Sequence, residues 1–284
     1  MSDVPGGPGL PPPPPVSGGP SGSIPSKTLG EILSAAFDVY RANASKLLLL
    51  VAIVVVPLTL VGVLVANAIV DANDIDVRGG ELVVDEIGTS FLAALFAGAI
   101  GGLIAVLISA VLQAATVRAA AQATIGDPVD VEASYRYGFR RLWSVILISI
   151  LVGLIVGAGF ILLIVPGIIF LVFLSASIPA LIVENKRGTD ALGRSWALVQ
   201  GNFWHALGVI FVAALIVGIV SGIIGAIGGD NWVVRWIFTA IAQIVTAPYA
   251  ALVSVLLYLD LRARRETLSA TALRQELASG IEPA

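Results

Sequence analysis

The longest uncharged stretch of this chain, Leu142–Val183, reads LWSVILISILVGLIVGAGFILLIVPGIIFLVFLSASIPALIV. As one straight helix, these 42 residues would measure about 63 Å, twice the roughly 30 Å hydrocarbon core of a bilayer. The stretch must therefore fold back on itself. Pro166-Gly167 lies near its middle, where it removes a backbone donor and supplies a flexible joint. We predict a break there and two membrane spans, 143–165 and 168–183.

Four further stretches of the chain lack charged residues over enough positions to cross a bilayer. Hydrophobic residues make up 57% of the chain and charged residues only 12%, against roughly 25% charged residues in soluble domains. The sequence therefore predicts an all-α, polytopic transmembrane helix bundle over residues 26–265. The four remaining spans of the six are placed at about 47–70, 90–116, 205–227 and 236–259.

Basic residues predict the orientation of these six spans, because Lys and Arg favour cytoplasmic loops. With six spans, one side of the membrane holds fourteen of the sixteen basic residues and the other holds only Arg78 and Arg235. Both termini are therefore expected in the cytoplasm. Thirteen of the sixteen basic residues are Arg, which is typical of a GC-rich bacterial genome, so the predicted location is a bacterial cytoplasmic (inner) membrane.

The segments outside the spans carry little sign of folded structure. Residues 1–25 are rich in Pro and Gly, which predicts a disordered cytoplasmic tail with polyproline II character. Such a tail serves as a solvated spacer or binds another membrane or cytoplasmic protein. Residues 266–284 are expected to be a short cytoplasmic tail. The acidic outer loop 71–89 lacks the spacing of a known calcium loop, and we read it as solvated.

An amphipathic segment precedes the first span. Thr28 and Glu31 have the spacing of a capping box, so a helix should begin there. From Leu29 to Tyr40 the apolar residues then recur every three or four positions, which indicates a helix lying along the membrane surface. Glycines four residues apart within later spans, such as Gly153 and Gly157, predict close contacts between helices.

The amphipathic segment recurs along the chain. Residues 190–202 match residues 31–43 at five positions without a gap, and Asp127-Pro128 suggests a third helix start before span three. We therefore expect three repeats, each an interfacial amphipathic helix followed by a transmembrane hairpin. All three copies point the same way, which differs from the inverted repeats of many transporters.

Basic residues on or beside these interfacial segments are the main candidates for a binding site. Each contributes about 1 kcal/mol of attraction near an anionic leaflet, although the positive-inside pattern alone would also place them there. Gln243 is the most polar deep residue and the intramembrane polar candidate, for a bond between helices or for a solute. The candidates for anionic-lipid headgroups are Arg136, Arg140, Arg141, Lys186, Arg187, Arg194, Arg262, Arg264 and Arg265.

The sequence contains few of the residues that catalysis usually requires. There is no cysteine and one histidine, His205, and no metalloprotease, serine-hydrolase or phosphate-loop motif is present. We predict no catalytic residues, no metal site, no cofactor and no nucleic-acid partner. The expected function is a membrane scaffold or lipid-interacting accessory that contacts membrane lipids. Two alternatives are a transporter or channel for a small solute and an intramembrane lipid-phosphate enzyme using Asp190 or Asp260.

Several segments resemble the glycerophosphoryl diester phosphodiesterase membrane-domain family of bacterial multi-span proteins. In some members a soluble phosphodiesterase domain follows the membrane part. Only twenty-odd residues follow Arg262 here, so the resemblance implies a stand-alone member without catalysis. The residues that carry it are 29–33, 36–37, 40–41 and 43; Val56-Pro57; 191–196 with 201–204; and Pro248 followed by 257–264.

Overall fold

The computed structural model describes residues 25–72, 84–186, 188–228, 232–266 and 268–279. Within these residues the chain is all-helical, as predicted. Its helices are α1 (Leu29–Ala72), α2 (Val84–Thr124), α3 (Val131–Leu162), α4 (Ile164–Leu174), α5 (Ser177–Val183), α6 (Asp190–Val199), α7 (Phe203–Ile227), α8 (Trp232–Ala263) and α9 (Ala270–Ser279).

Six helical segments of the described chain are long and apolar enough to cross a membrane. This number agrees with the six spans predicted from the sequence. Helices α1, α2, α7 and α8 pack side by side, and the hairpin of α3 and α4 packs against α2. The segments are Leu29–Leu60, Ile104–Thr124, Val131–Leu162, Ile164–Val183, Phe203–Ile227 and Val233–Ala263.

The break in the long uncharged stretch falls at Leu163 rather than at Pro166-Gly167. Leu163 is extended (φ −166°, ψ 156°) and separates α3 from α4. Pro166 lies in the first turn of α4, where its missing N–H has no intrahelical partner to lose. The predicted boundary was therefore wrong by a few residues, because this proline begins a helix instead of ending one.

Two glycines let α3 and α4 approach closely below this break. A Cβ at Gly167 would lie 2.5 Å from the Phe160 ring, and one at Gly159 would lie 2.9 Å from the Gly167 Cα. Space is open around Gly153 and Gly157, which the sequence predicted to make close contacts. That prediction was wrong for this chain's own helices, because spacing alone does not show which face of a helix meets a neighbour.

Helix α1 begins as the capping box predicted. The backbone N–H of Thr28 donates to Glu31 Oε2 at 2.7 Å, and α1 starts at Leu29. Within α1, the interfacial segment and the first span are two helical segments that meet at a kink at the non-helical residue Asn43 (φ −120°, ψ 16°). The Asn43 side chain donates to the Val39 carbonyl at 3.1 Å, and this bond accompanies the kink.

The other two interfacial segments differ from each other in form. Helix α6 begins at Asp190, as expected, and is separate from α7. Helix α3 is continuous with its span and begins at Val131 rather than at Asp127-Pro128, because the Asp130 side chain accepts the Ala133 N–H at 3.0 Å and caps it. The threefold repeat itself stays a prediction.

The C-terminal segment contains a helix that the sequence prediction left out. Helix α9 packs against the bundle through Leu268 before it and Leu273 and Leu277 within it, all of which are buried. Arg274 on its exposed side pairs with Asp127 at 3.2 Å. Helix α9 therefore covers the ends of α2, α5 and α8 instead of extending into solvent.

Candidate functional site

A groove of about 570 Å³ opens between α1, α2 and α3. Every residue in its wall is apolar or aromatic, apart from the hydroxyl group of Tyr135. That hydroxyl group donates to the Leu50 carbonyl of α1, which ties α3 to α1 at one end of the groove. The walls are formed by Ile53, Val54, Pro57 and Leu58 of α1, Ile104, Leu107, Ile108 and Val111 of α2, and Tyr135, Phe139 and Leu142 of α3.

An exposed stripe of α3 borders this groove. Arg136, Phe139, Arg140 and Trp143 follow each other at helical spacing, so they lie on one side of the helix. Phe139 is 66% exposed and Trp143 is 76% exposed. Arginine beside exposed aromatic rings at the end of a span is the composition of a membrane–water interface. Arg136 also pairs with Glu132 at 2.5 Å, and both of these side chains are exposed.

A tight crossing holds α3 in this position. A Cβ at Gly138 would lie 2.8 Å from the Val111 carbonyl and 3.6 Å from the Ala114 Cβ, so only glycine allows this approach of α2 and α3. Gly138 and Phe139 are adjacent on α3. The close crossing therefore fixes the depth at which the groove wall and its bordering arginines lie.

A second polar feature, the Glu184 cluster, joins α5, α6, α8 and α9. The Glu184 carboxylate accepts from Arg194 Nε at 2.7 and 3.0 Å and from the Tyr258 hydroxyl at 2.6 Å. Arg262 of α8 lies 3.5 Å from Glu184 and donates to Glu276 of α9 at 2.8 and 3.0 Å. Glu266 completes the cluster by pairing with Arg194 at 2.5 Å and with Arg262 at 3.4 Å.

Burial and hydrogen bonding act in opposite directions on Glu184. Burial alone would raise the pKa of this carboxyl group, but hydrogen bonds from Tyr258 and Arg194 and the charge of Arg262 hold its pKa below the ordinary value of 4.5. The ionised form is therefore the one that the fold stabilises. The Glu184 cluster therefore holds α6 and α9 against α8.

Acid should weaken the contribution of the Glu184 cluster to stability. Because the folded pKa of Glu184 is lowered, its contribution to stability is complete above about pH 4.5 and is lost as the pH falls through the folded pKa. We expect the melting temperature of the wild type to fall more steeply than that of Glu184→Gln between about pH 5 and pH 3. Parallel curves for the two proteins, measured by thermal unfolding in detergent, would contradict this role.

The Asp260 cluster lies at the same end of α8 as the Glu184 cluster. The buried Asp260 carboxylate accepts the Lys27 N–H at 2.5 Å and Arg264 Nε at 2.8 Å, and it lies 3.0 Å from His205 Nε2. These three partners come from the start of α1, from α8 and from the first turn of α7. Asp260 is thus engaged in holding three helices together, whereas Asp190 is exposed at the start of α6.

The structure distributes the predicted headgroup candidates among different environments. Arg194, Arg262 and Lys186 pair with Glu184, and Arg264 pairs with Asp260. Arg265 donates to the Gln200 carbonyl, and Arg187 lies outside the described residues. Of the three arginines of α3, Arg136 and Arg140 are exposed beside the groove, where Arg136 pairs with Glu132, whereas Arg141 is half-buried and interacts with Tyr137.

Gln243, the predicted intramembrane polar residue, is exposed on α8. The two threonines on neighbouring turns bond to their own helix, Thr239 to the Arg235 carbonyl at 2.8 Å and Thr246 to the Ala242 carbonyl at 2.7 Å. Both hydroxyl groups therefore donate within α8 rather than to Gln243.

Sequence reasoning treated Arg118 only as a marker of topology and missed its environment. Arg118 is 1% exposed, and it is the largest of the fully buried side chains in the described chain. Alanines surround it in the sequence, at positions 114–115 and 119–121, and all of them are buried. A cation among consecutive small residues was the available signal, because small side chains let neighbouring helices close over a long one.

Comparisons with protein-family models, with curated proteins and with solved structures find no match for this chain. Its class is therefore defined by its own helices: a multi-pass, membrane-embedded, all-helical protein. In the part of the chain that the structure describes, no group of three His, Asp or Glu side chains is placed to hold a metal ion.

Proposed function

We propose that this chain is a lipid-binding protein of the bacterial inner membrane that acts as a scaffold or accessory without chemistry of its own. The groove between α1, α2 and α3 takes an acyl chain, and Arg136 and Arg140 attract the anionic headgroup of the same lipid. The observation that carries the proposal is the position of this apolar groove directly beside an arginine-bearing, aromatic stripe of α3.

The charge of the headgroup, rather than the acyl chain, supplies the selectivity. Lipid tails are as apolar as the groove, so exchanging one tail for another gives little hydrophobic gain. Each arginine near the surface contributes about 1 kcal/mol of attraction to an anionic lipid. Because Glu132 offsets part of the charge of Arg136, the two arginines favour an anionic over a zwitterionic lipid by roughly five- to thirtyfold.

The orientation and the family belong to the same proposal. Both termini lie in the cytoplasm, and the groove opens to the inner leaflet, where the positive-inside pattern places Arg136, Arg140 and Arg141. The chain is, in this proposal, a member of the glycerophosphoryl diester phosphodiesterase membrane-domain family. The engagement of Asp260 with three partners and the exposed position of Gln243 favour this function over an intramembrane enzyme or a solute pathway.

Lipid enrichment in nanodiscs tests the proposal. We expect the wild type to retain anionic lipid over phosphatidylcholine from a mixed membrane, and Arg136→Gln with Arg140→Gln to lose most of that preference. Leu107→Trp, which fills the groove, should reduce retained lipid of both kinds. The matched control is Lys27→Gln with Arg274→Gln, which removes two positive charges away from the groove. If the control loses as much of the preference for anionic lipid as Arg136→Gln with Arg140→Gln does, the proposal is rejected.

A further inference from the structure

Arg118 of α2 carries a buried positive charge that forms no ion pair with a carboxylate of the described chain; the charge of Asp130 acts on it only from beyond ion-pair distance. Its Nε and Nη1 atoms are buried without a hydrogen-bond partner, and Nη2 reaches only the Leu277 carbonyl of α9, at 3.4 Å. No ion pair of Arg118 is present among the described residues. The guanidinium group thus keeps two donors free in a place from which water is excluded.

The surroundings of Arg118 are those of an anion site. Its guanidinium group lies over the Tyr137 ring at 4.4 Å, and the Tyr137 hydroxyl donates to the Ile182 carbonyl of α5 at 3.0 Å, which fixes the ring. Arg141, one turn along α3 from Tyr137, interacts with the same phenol group. Two guanidinium groups therefore meet at one aromatic side chain. One turn along α2, Gln122 Oε1 is also buried without a partner.

Packing alone does not account for a charge in this position. Removing a guanidinium group from water is unfavourable by several kcal/mol, and apolar residues of similar size often replace buried ions with a gain in stability. A single ordered water between Arg118 and Gln122 would satisfy hydrogen bonds but would add no negative charge beside the guanidinium group. An anion would satisfy the free Nε and Nη1 donors and balance the charge in one step.

We propose that Arg118 and Arg141 form a binding site for a phosphate monoester or diester, with α9 as its removable cover. The planar guanidinium fork suits the oxygens of a phosphate group, which accept two parallel hydrogen bonds. The ligand is either the phosphate of a lipid headgroup or a soluble phosphate compound. The site lies apart from the groove of α1, α2 and α3, so this proposal does not depend on the function proposed above and is tested separately from it.

Helix α9 has the properties of a cover. It contacts Arg118 through a carbonyl of its last turn, and two ion pairs hold it in place, Arg262 with Glu276 and Arg274 with Asp127. Only one of these pairs, Arg262 with Glu276, is part of a buried cluster. Moving α9 uncovers the two free donors of Arg118 without separating any membrane-spanning helices.

Thermal unfolding in a phosphate-free nonionic detergent tests the site. The melting temperature is measured against inorganic phosphate, with chloride at equal ionic strength as the reference. We expect phosphate to raise the melting temperature of the wild type. In Arg118→Met, the melting temperature without phosphate should exceed that of the wild type, and the apparent affinity for phosphate should fall by about 10- to 100-fold. Arg235→Met, an exposed arginine at the start of α8, should respond to phosphate as the wild type does.

The opposite pattern overturns the proposal. If Arg118→Met melts below the wild type and keeps the full phosphate response, Arg118 has a structural role only. Should Arg118→Met fail to fold, Arg118→Lys takes its place, because lysine keeps the charge and loses the fork. A phosphate affinity of Arg118→Lys equal to that of the wild type would overturn the proposal.

Two further arms identify the source of the phosphate group. Dihexanoyl phosphatidylglycerol is compared with dihexanoylglycerol, which lacks the phosphate. A response to the phosphatidylglycerol alone assigns the site to a lipid headgroup, a response to inorganic phosphate assigns it to a soluble ligand, and no response to either overturns the proposal. Glu282→Gln, which removes the acidic side chain of the last five residues without creating a new terminus, should behave as the wild type. If it melts lower without phosphate, its own terminal segment neutralises Arg118, and the proposal fails.

Discussion

Arg262→Ala should lower the free energy of unfolding by about 3–5 kcal/mol, as expected when one partner of a buried ion cluster is removed. The Arg262 guanidinium group is buried and meets the carboxylates of Glu184, Glu266 and Glu276. Without it, three negative charges lie close together with only Arg194 and Lys186 beside them. Denaturant unfolding in detergent, followed by Trp fluorescence, measures the loss.

The control for this prediction is an exposed arginine of α9 that lies outside the Glu184 cluster. Arg274→Ala breaks the pair with Asp127, and both side chains are well exposed, so a loss of only about 0–1 kcal/mol is expected. Adding Glu184→Gln and Glu276→Gln to Arg262→Ala should recover part of the loss, since fewer unpaired charges remain. Equal losses for Arg262→Ala and Arg274→Ala would show that burial of the cluster adds nothing to stability.

Gly167→Ala should lower the free energy of unfolding by about 1–3 kcal/mol, the usual effect of overpacking a tight contact. The new Cβ would lie 2.5 Å from the Phe160 ring, closer than two carbons can pack, so α3 and α4 would have to separate. Gly157→Ala in the same hairpin is the matched control. Its Cβ meets nothing within 4 Å, and helix propensity favours alanine by roughly 0.5–1 kcal/mol.

Phe160 supplies the second test of this contact. In the Phe160→Ala background the ring is absent, so Gly167→Ala should cost much less than it does in the wild type. Double-mutant analysis of unfolding measures this coupling. If the two substitutions add without coupling, the clash with the Phe160 ring is not the reason for glycine at position 167.

The membrane spans were predictable because lipid imposes a simple rule. A backbone in hydrocarbon must satisfy its own hydrogen bonds, so each uncharged stretch of sufficient length becomes a helix. The start of α1 was also predictable, since Thr28 and Glu31 form a purely local motif. The break at Leu163 was not, because a proline two residues into a helix and a proline ending a helix look alike in a sequence that is apolar on both sides.

The polar clusters depend on contacts between distant parts of the chain, and no local pattern reports these. Glu184 and Glu276 are separated by more than ninety positions, yet both bind Arg262. The sequence therefore showed nine basic residues near a membrane but not which of them are neutralised within the chain. Helix α9 was missed for the same reason: the three leucines buried in it and just before it, Leu268, Leu273 and Leu277, are separated by polar residues and alanines and form no long apolar run.

The turn between α3 and α4 has a bearing on how the chain enters a membrane. From Ile150 to Leu174 no side chain is polar, and the large apolar residues 161–165 at the turn are exposed. The Leu163 N–H donates to the Gly159 carbonyl, and its own carbonyl accepts the Gly167 N–H, so the one extended residue is satisfied within the hairpin. Translocating this connection transfers no charge, and its one extended residue keeps both backbone hydrogen bonds, which leaves α3 and α4 able to partition from the insertion machinery together as one preformed unit.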